Sequence, residues 1–326
     1  MHKLVTLTRR NYPALRLIGM IIALFAVSSV ASAQAPRTWV EGLSGDDSFP
    51  CSRTSPCKTL AGAYAKTAIG GEIDVVDAGA YSTLTITHSI SIEAVGTVAG
   101  ILANPGGNAF TISAGPSDVV VIRGMTIDGL GDPKSGQGVT GIEFTSGGAL
   151  HVEECTIHNF SAKGIDFNPS GSSALFVKDT MVRDNTNGTN GGGIYIHPQS
   201  GGAAFVSIDH CRLENNFFGL RAEDGSKVIV SNTVSSINLH NGFLVFSNGG
   251  AVEVNLESVV ASGNATNGAQ VNGAAAVLRL SNCMIVDNTA MGVTNINGAN
   301  KPISFGNNRL NGNVGGDGAV NNIGQN

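Results

Sequence analysis

Self-similarity limits the fold of this chain more than any other feature. The run ALHVEECTIHN over Ala149 to Asn159 returns as ALFVKDTMVRDN over Ala174 to Asn185. It recurs as FVSIDHC from Phe205, VIVSNT from Val228 and LRLSNC from Leu278. Glycines that each open a short apolar strand follow at Gly164, Gly193, Gly219, Gly242, Gly268 and Gly292, spaced 29, 26, 23, 26 and 24 residues apart. A period in the twenties built of short alternating strands marks a solenoid, because one repeat cannot bury its own apolar face and must stack on the next. Leucine-rich repeats share this length, but their dense leucine consensus is absent. Alternation is explicit: Val228 and Val230 face one way, Ile229 and Ser231 the other. No stretch beyond residue 70 carries helical periodicity.

These runs predict an all-β, single-stranded right-handed parallel β-helix of about ten coils between Ile73 and Val320. Each coil supplies three short strands and rises ~4.8 Å, which gives a rod of ~50 Å. Composition agrees, with 44 glycines in 326 residues, 42% hydrophobic residues for a core and only 13% charged residues. The glycines have no three-residue period, which excludes collagen. Asparagine recurs after each repeat's first strand, at Asn185, Asn216, Asn238, Asn264, Asn288 and Asn313. Stacked coils turn such a file into an amide ladder, and asparagine also tolerates the left-handed conformation of a tight bend.

A rod of coils needs covers at its ends. The segment 58–67 predicts a short amphipathic capping helix with Leu60, Ala63, Tyr64 and Thr67 on one stripe. The domain reading is therefore a leader over 1–33, a loop with Cys51, Cys57 and the capping helix over 34–69, the β-helix over 70–310, and a Gly/Asn-rich tail over 311–326. The leader has a basic head (Lys3, Arg9, Arg10, Arg16), an uncharged stretch from Leu17, and Ala31-Ser32-Ala33 as a small-x-small cleavage site. It reads as a signal peptide cleaved after Ala33, so the mature protein is expected to be secreted or periplasmic, with no integral membrane span. Residues 1–33 hold four of the 19 basic residues and none of the 24 acidic ones, so the remainder carries net charge −9. That balance argues against a nucleic-acid or anionic-membrane partner.

Export also frames the five cysteines. Cys51 and Cys57 flank a Pro/Ser/Thr loop and predict a small disulfide-closed ring in an oxidising compartment. No further ligands lie nearby for a metal. Cys155, Cys211 and Cys283 fall in one repeat column, and two coil steps, ~10 Å, exceed the reach of a disulfide. They are expected to be buried free thiols.

At this point the chain resembles the pectate-lyase-like (pectin lyase superfamily) right-handed β-helix proteins of exported bacterial type. The resemblance rests on Cys51 to Ile92: the cysteine loop, the helix, then GGEIDVVDAGAY over Gly70 to Tyr81 and LTITHSISI over Leu84 to Ile92. It implies the architecture and leaves the chemistry open, since this scaffold hosts lyases, hydrolases, esterases, epimerases, tailspikes and adhesins. The Arg-x-Pro-x-x-Arg motif of pectate lyases and the Gly-His-Gly and Arg-Ile-Lys motifs of polygalacturonases are absent. Where pectin methylesterases carry Gly-x-Tyr-x-Glu, this chain has Gly79-Ala80-Tyr81-Ser82-Thr83.

The residue two past each glycine should point outward. Up the rod this file reads Glu143, Asp166, Tyr195, Arg221, Leu244, Gln270 and Thr294, with His197, Glu223, Phe246 and Asn272 two residues further along. Asp166 and Glu143 are the candidate acid/base or calcium ligands, with Arg221 holding a substrate carboxylate. Tyr195, His197 and Glu223 are candidate ligand contacts, the tyrosine by stacking on a sugar ring. The pattern contains no metal site, and calcium on these carboxylates is the one cofactor it could take. A second outward set, His151, Glu153, Lys178, Asp209 and Glu253, alternates in sign and reads as solubility. His158, Arg183 and Glu214 share a turn file and form a secondary candidate set.

The expected function is binding of an extracellular or envelope polysaccharide, of acidic type, on the lateral face by a monomer or weak oligomer. The alternatives are a polysaccharide lyase or glycoside hydrolase on an acidic polysaccharide, and a surface adhesin or structural spacer.

Overall fold

Backbone hydrogen bonding in a solenoid must run between coils, because each strand is too short to pair within its own repeat. The computed structural model, which describes residues 34–94, 96–130, 136–186 and 191–324, shows this arrangement. Among the described residues, three parallel sheets run along the solenoid. The first face holds 12 strands from Ala35–Val40 to Asn321–Asn322, the second 10 from Gly79–Tyr81 to Arg309–Asn311, and the third nine from Leu84–Ile86 to Val293–Ile296. Nine successive coils, beginning at Thr67–Val75, give a strand to every face, and a partial coil follows them. Residues 1–33, read as the leader, and 131–135 lie outside the described residues.

Alternation fixes the register. One inward file runs Leu150, Leu175, Val206, Val228, Val254 and Leu278 in successive pairings, all buried. Each such side chain contributes about 1.5–3 kcal/mol by leaving water. The intervening Ile229 is 55% exposed, as a period of two requires. On the inner side of the third face, Phe144 stacks on Phe167 with ring centroids 4.6 Å apart.

The asparagine file forms the expected ladder. Side-chain amides donate from Asn185 to Asn216, Asn238 to Asn264, Asn264 to Asn288 and Asn288 to Asn313 at 2.8–2.9 Å, and Asn313 ends the file on Asp317 at 2.8 Å. Each amide oxygen also accepts the backbone N–H of the preceding rung, as Asn264 does from Asn238 at 3.1 Å. The left-handed residues are not the ladder asparagines themselves. They are the residues just before them: Asp184, Asn215, Ile237, Gly263, Asp287 and Gly312, with φ of 50–74°. The ladder side chain must enter the interior, so the bend is made one residue earlier. The recurring glycines complete the packing. A Cβ at Gly193 would lie 2.6 Å from the Gly219 carbonyl oxygen and 3.0 Å from the Asn216 amide.

The cover at the first end is more elaborate than a loop and a helix. Residues 35–40, placed in a loop by the sequence reading, form a strand on the first face. Its outer edge is closed by the cysteine loop: Trp39 N–H donates to Cys51, and Cys57 N–H to Trp39, both at 2.9 Å. Cys51 and Cys57 form the disulfide. The helix is shorter than predicted, Leu60–Tyr64, with Leu60 and Ala63 buried and Thr59 capping Gly62 N–H. Thr67, expected on the helix stripe, instead starts a strand, where its hydroxyl donates to the Ala63 carbonyl. At the far end, pairing continues past residue 310, through Asn311 and the strand Asn321–Asn322.

Candidate functional site

The outward file of the third face is in register as the glycine spacing implies. Glu143 pairs with Asp166, Asp166 with Tyr195, Tyr195 with Arg221, and the file continues through Leu244, Gln270 and Thr294. Its middle is not an open, solvated surface, for Asp166 and Tyr195 are only 7% and 8% exposed.

Asp166 and Arg221 share this file but do not pair with each other. Those residues are two coil steps apart, ~10 Å. Asp166 instead takes Lys163 Nζ on Oδ2 and His197 Nε2 on Oδ1, each at 2.5 Å. Arg221 pairs with Glu223, which also accepts the Tyr195 hydroxyl at 2.7 Å. Glu143 stands apart from both pairs and accepts from Asn108 at 2.6 Å. Tyr195 is the hub. His197 stacks on it at 4.1 Å, and the cations of Lys163 and Arg221 lie 4.6 and 4.9 Å from its ring centroid. Arg221 is also 5.2 Å from the Phe246 ring. Such contacts gain strength where water is excluded.

These surroundings set protonation. Burial pushes the Asp166 carboxyl up, but the His197 hydrogen bond and the Lys163 charge outweigh it and hold the group below the usual carboxylate range. Burial and the hydrogen bond to Glu223 raise the Tyr195 phenol well above its ordinary value. At neutral pH Asp166 is therefore an anion and Tyr195 a neutral donor. Asp166 is thus suited to anchoring cations and unsuited to donating a proton.

The sequence reading missed Lys163 and Asn108. Lys163 sits one residue before a recurring glycine, and a search confined to positions after the glycine passes over it. Calcium finds no open donor set in this cluster, since the carboxylates of Asp166 and Glu223 already face cations. Among the described residues, no three His, Cys, Asp or Glu side chains converge as metal ligands.

The secondary candidates, read from sequence as a turn file, instead end strands of the second face. His158, Arg183 and Glu214 share one register file, but Arg183 pairs with Asp184 and Glu214 with Arg212. His210 pairs with Asp209 at 2.7 Å. Cys155, Cys211 and Cys283 are free and buried. Desolvation raises their thiols to about 12, 11 and 11.

The first face departs from the reading of a solvated charged surface. Glu153, Lys178 and Asp209 form one file, but the file beside it carries His151 stacked on Phe176 at 4.6 Å. Phe176 and Phe205 are 40% and 50% exposed.

The fold defines a class, the right-handed parallel β-helices. The family model for right-handed β-helix regions matches residues 84–278 and 140–314, and the chain belongs to that family. No curated protein matches it in sequence. Among solved structures it is similar to an alginate lyase from Paenibacillus sp. str. FPU-7, at 15% identity and a TM-score of 0.68 over 88% of this chain and 100% of that one. The A-module of the Azotobacter vinelandii mannuronan C-5 epimerase AlgE4 aligns at 14% identity and a TM-score of 0.52, over 88% and 98% of the two chains. The pectate lyase Pel9A aligns at 15% and 0.52, over 84% and 69%. At such identities these likenesses establish the fold and no more. Among the described residues, no helix is long and apolar enough to cross a membrane.

Proposed function

We propose that this protein binds a polysaccharide along its third face, with uronate-bearing chains as the ligand class, and acts as an exported binder. The observation that carries this reading is the Tyr195 hub: an aromatic ring held between two cations, each fixed by its own carboxylate. Lys163 has three N–H donors, and Asp166 takes one of them. The others suit a uronate carboxylate. A disulfide and an apolar leader are consistent with export. The solved relatives named above act on alginate, mannuronan or pectate by their names, which supports a polysaccharide ligand.

The enzyme reading is favoured by one feature, the contact of His197 with Asp166 beside a neutral Tyr195. A β-elimination needs a base at the proton and a cation on the carboxylate, and His197 with Arg221 are the groups for those tasks. Against it, Asp166 and Glu223 are already ion-paired. Affinity electrophoresis against alginate, polygalacturonate and hyaluronate, with absorbance at the unsaturated-product wavelength followed in parallel, decides between the two. Retardation without product is the expected result. Product formation abolished in His197→Ala would replace the binder reading with the lyase, and neither retardation nor product would leave the spacer.

A further inference from the structure

Glu143 is the one charged residue of the outward file that the Tyr195 hub leaves unused. Asp166 holds Lys163 and His197, and Glu223 holds Arg221. Glu143 sits one coil step below Asp166 and takes the Asn108 amide, an uncharged donor, at 2.6 Å. Among the described residues it is the single charge in the strands of the third face without a counter-ion. On either side of this cluster the file is neutral. Below Glu143 it runs through Thr111 and Thr85, and above Arg221 through Leu244, Gln270 and Thr294.

Lys163 and Arg221 are each balanced by a carboxylate, so the face offers an anion two fixed sets of N–H donors and no net positive field. The two sets are two coil steps apart, ~10 Å, the span of a disaccharide. A polyuronate carries a carboxylate on every sugar. When one carboxylate sits on Lys163 and the chain continues toward the covered end, the next anion comes within about one coil step of Glu143. Even in water, two unit charges ~5 Å apart repel enough to cost about fourfold in affinity, and more where water is excluded. A chain in which every second sugar is neutral escapes that cost. Its uronates lie at the levels of Lys163 and Arg221, and its neutral sugars at the levels of Glu143, Tyr195 and Leu244. There the Glu143 carboxylate accepts sugar hydroxyls.

We propose, on the third-face reading, that Glu143 is a specificity-determining residue: it selects a linear polysaccharide in which uronates alternate with neutral sugars over a continuous polyuronate.

The test is calorimetric titration of the full protein with hyaluronate hexasaccharide, which alternates, and with mannuronate hexamer, which is uronate throughout. Wild type and Glu143→Gln are compared in low salt and in 0.5 M NaCl. Glutamine removes the charge and still offers Asn108 a carbonyl oxygen; circular dichroism checks the fold. The proposal expects the wild type to bind the alternating hexasaccharide more tightly. Glu143→Gln should strengthen mannuronate binding about fourfold or more and change hyaluronate binding less than about twofold. Added salt should shrink the mannuronate gain. Equal changes for both ligands, or no change for either, overturn the proposal, since a merely structural role would move the two together. So does a wild type that prefers mannuronate. Binding of neither ligand by either protein refutes the third-face reading and with it the selection. Binding of both that ignores Glu143→Gln leaves that reading standing and refutes the selection alone.

Discussion

Replacing Asn264 with alanine tests whether the ladder holds the coils together. Its side chain accepts the Asn238 backbone N–H at 3.1 Å and the Asn238 amide at 2.9 Å, and donates to Asn288 at 2.9 Å and to the Ser235 carbonyl at 3.1 Å. The residue is wholly buried. Alanine strands the Asn238 backbone N–H, which lies outside the strands and bonds only to this side chain. A buried orphan costs about 1–3 kcal/mol, so the variant should lose about that much. Asn232→Gly is the control. Asn232 has φ of 49° and an exposed side chain bonded to Asp209, so glycine removes one surface contact and relieves a left-handed bend. Its net change should stay within about 1 kcal/mol. Urea unfolding followed by circular dichroism measures both, provided the slope of the transition is unchanged between variants. If Asn264→Ala costs no more than Asn232→Gly, the ladder is decoration and the account of coil stacking is refuted.

Two other outcomes follow from protonation. Because the folded Asp166 carboxyl lies below its unfolded value near ~3.9, its contribution to stability is complete above that pH and is lost as pH falls through the folded value. Acid unfolding of Asp166→Asn, compared with the wild type, should therefore show a shallower decline below about pH 4; parallel curves would refute the pairing with Lys163 and His197. The thiols of Cys155, Cys211 and Cys283, raised to about 12, 11 and 11 by burial, should not react with a disulfide reagent at pH 8 in the native protein, and should all react after unfolding. Rapid native labelling of any of them would mean that its column is open to solvent.

Periodicity carries far in a chain of this kind, and its limits are physical. Spacing between Gly164, Gly193 and Gly219 places Asp166, Tyr195 and Arg221 in one file because a parallel ladder allows only one register that keeps the apolar side inward. The same reasoning exposes the asparagine ladder. It cannot tell which charged neighbour a side chain will choose, since Lys163 and His197 lie equally within reach of Asp166 on the same strand and on the next coil. Alternation also marks Phe176, Phe205 and Ile229 as outward residues, but charges scattered among them hide the apolar patch they form together. The strand over 35–40 has no counterpart in the repeat. Its place is set by the cysteine loop folding back on it, a long-range contact that local pattern does not contain.

Calorimetric titration of the protein with polyuronate hexamers from alginate and pectate tests the central claim most directly, in wild type and in Lys163→Gln and Arg221→Gln. The account predicts saturable binding that weakens with added salt. Each substitution should reduce the affinity about tenfold or more, because a hydrogen bond to a charged group is worth about 1.5–3 kcal/mol. Absence of binding to every hexamer, or binding that both substitutions leave intact, would contradict it.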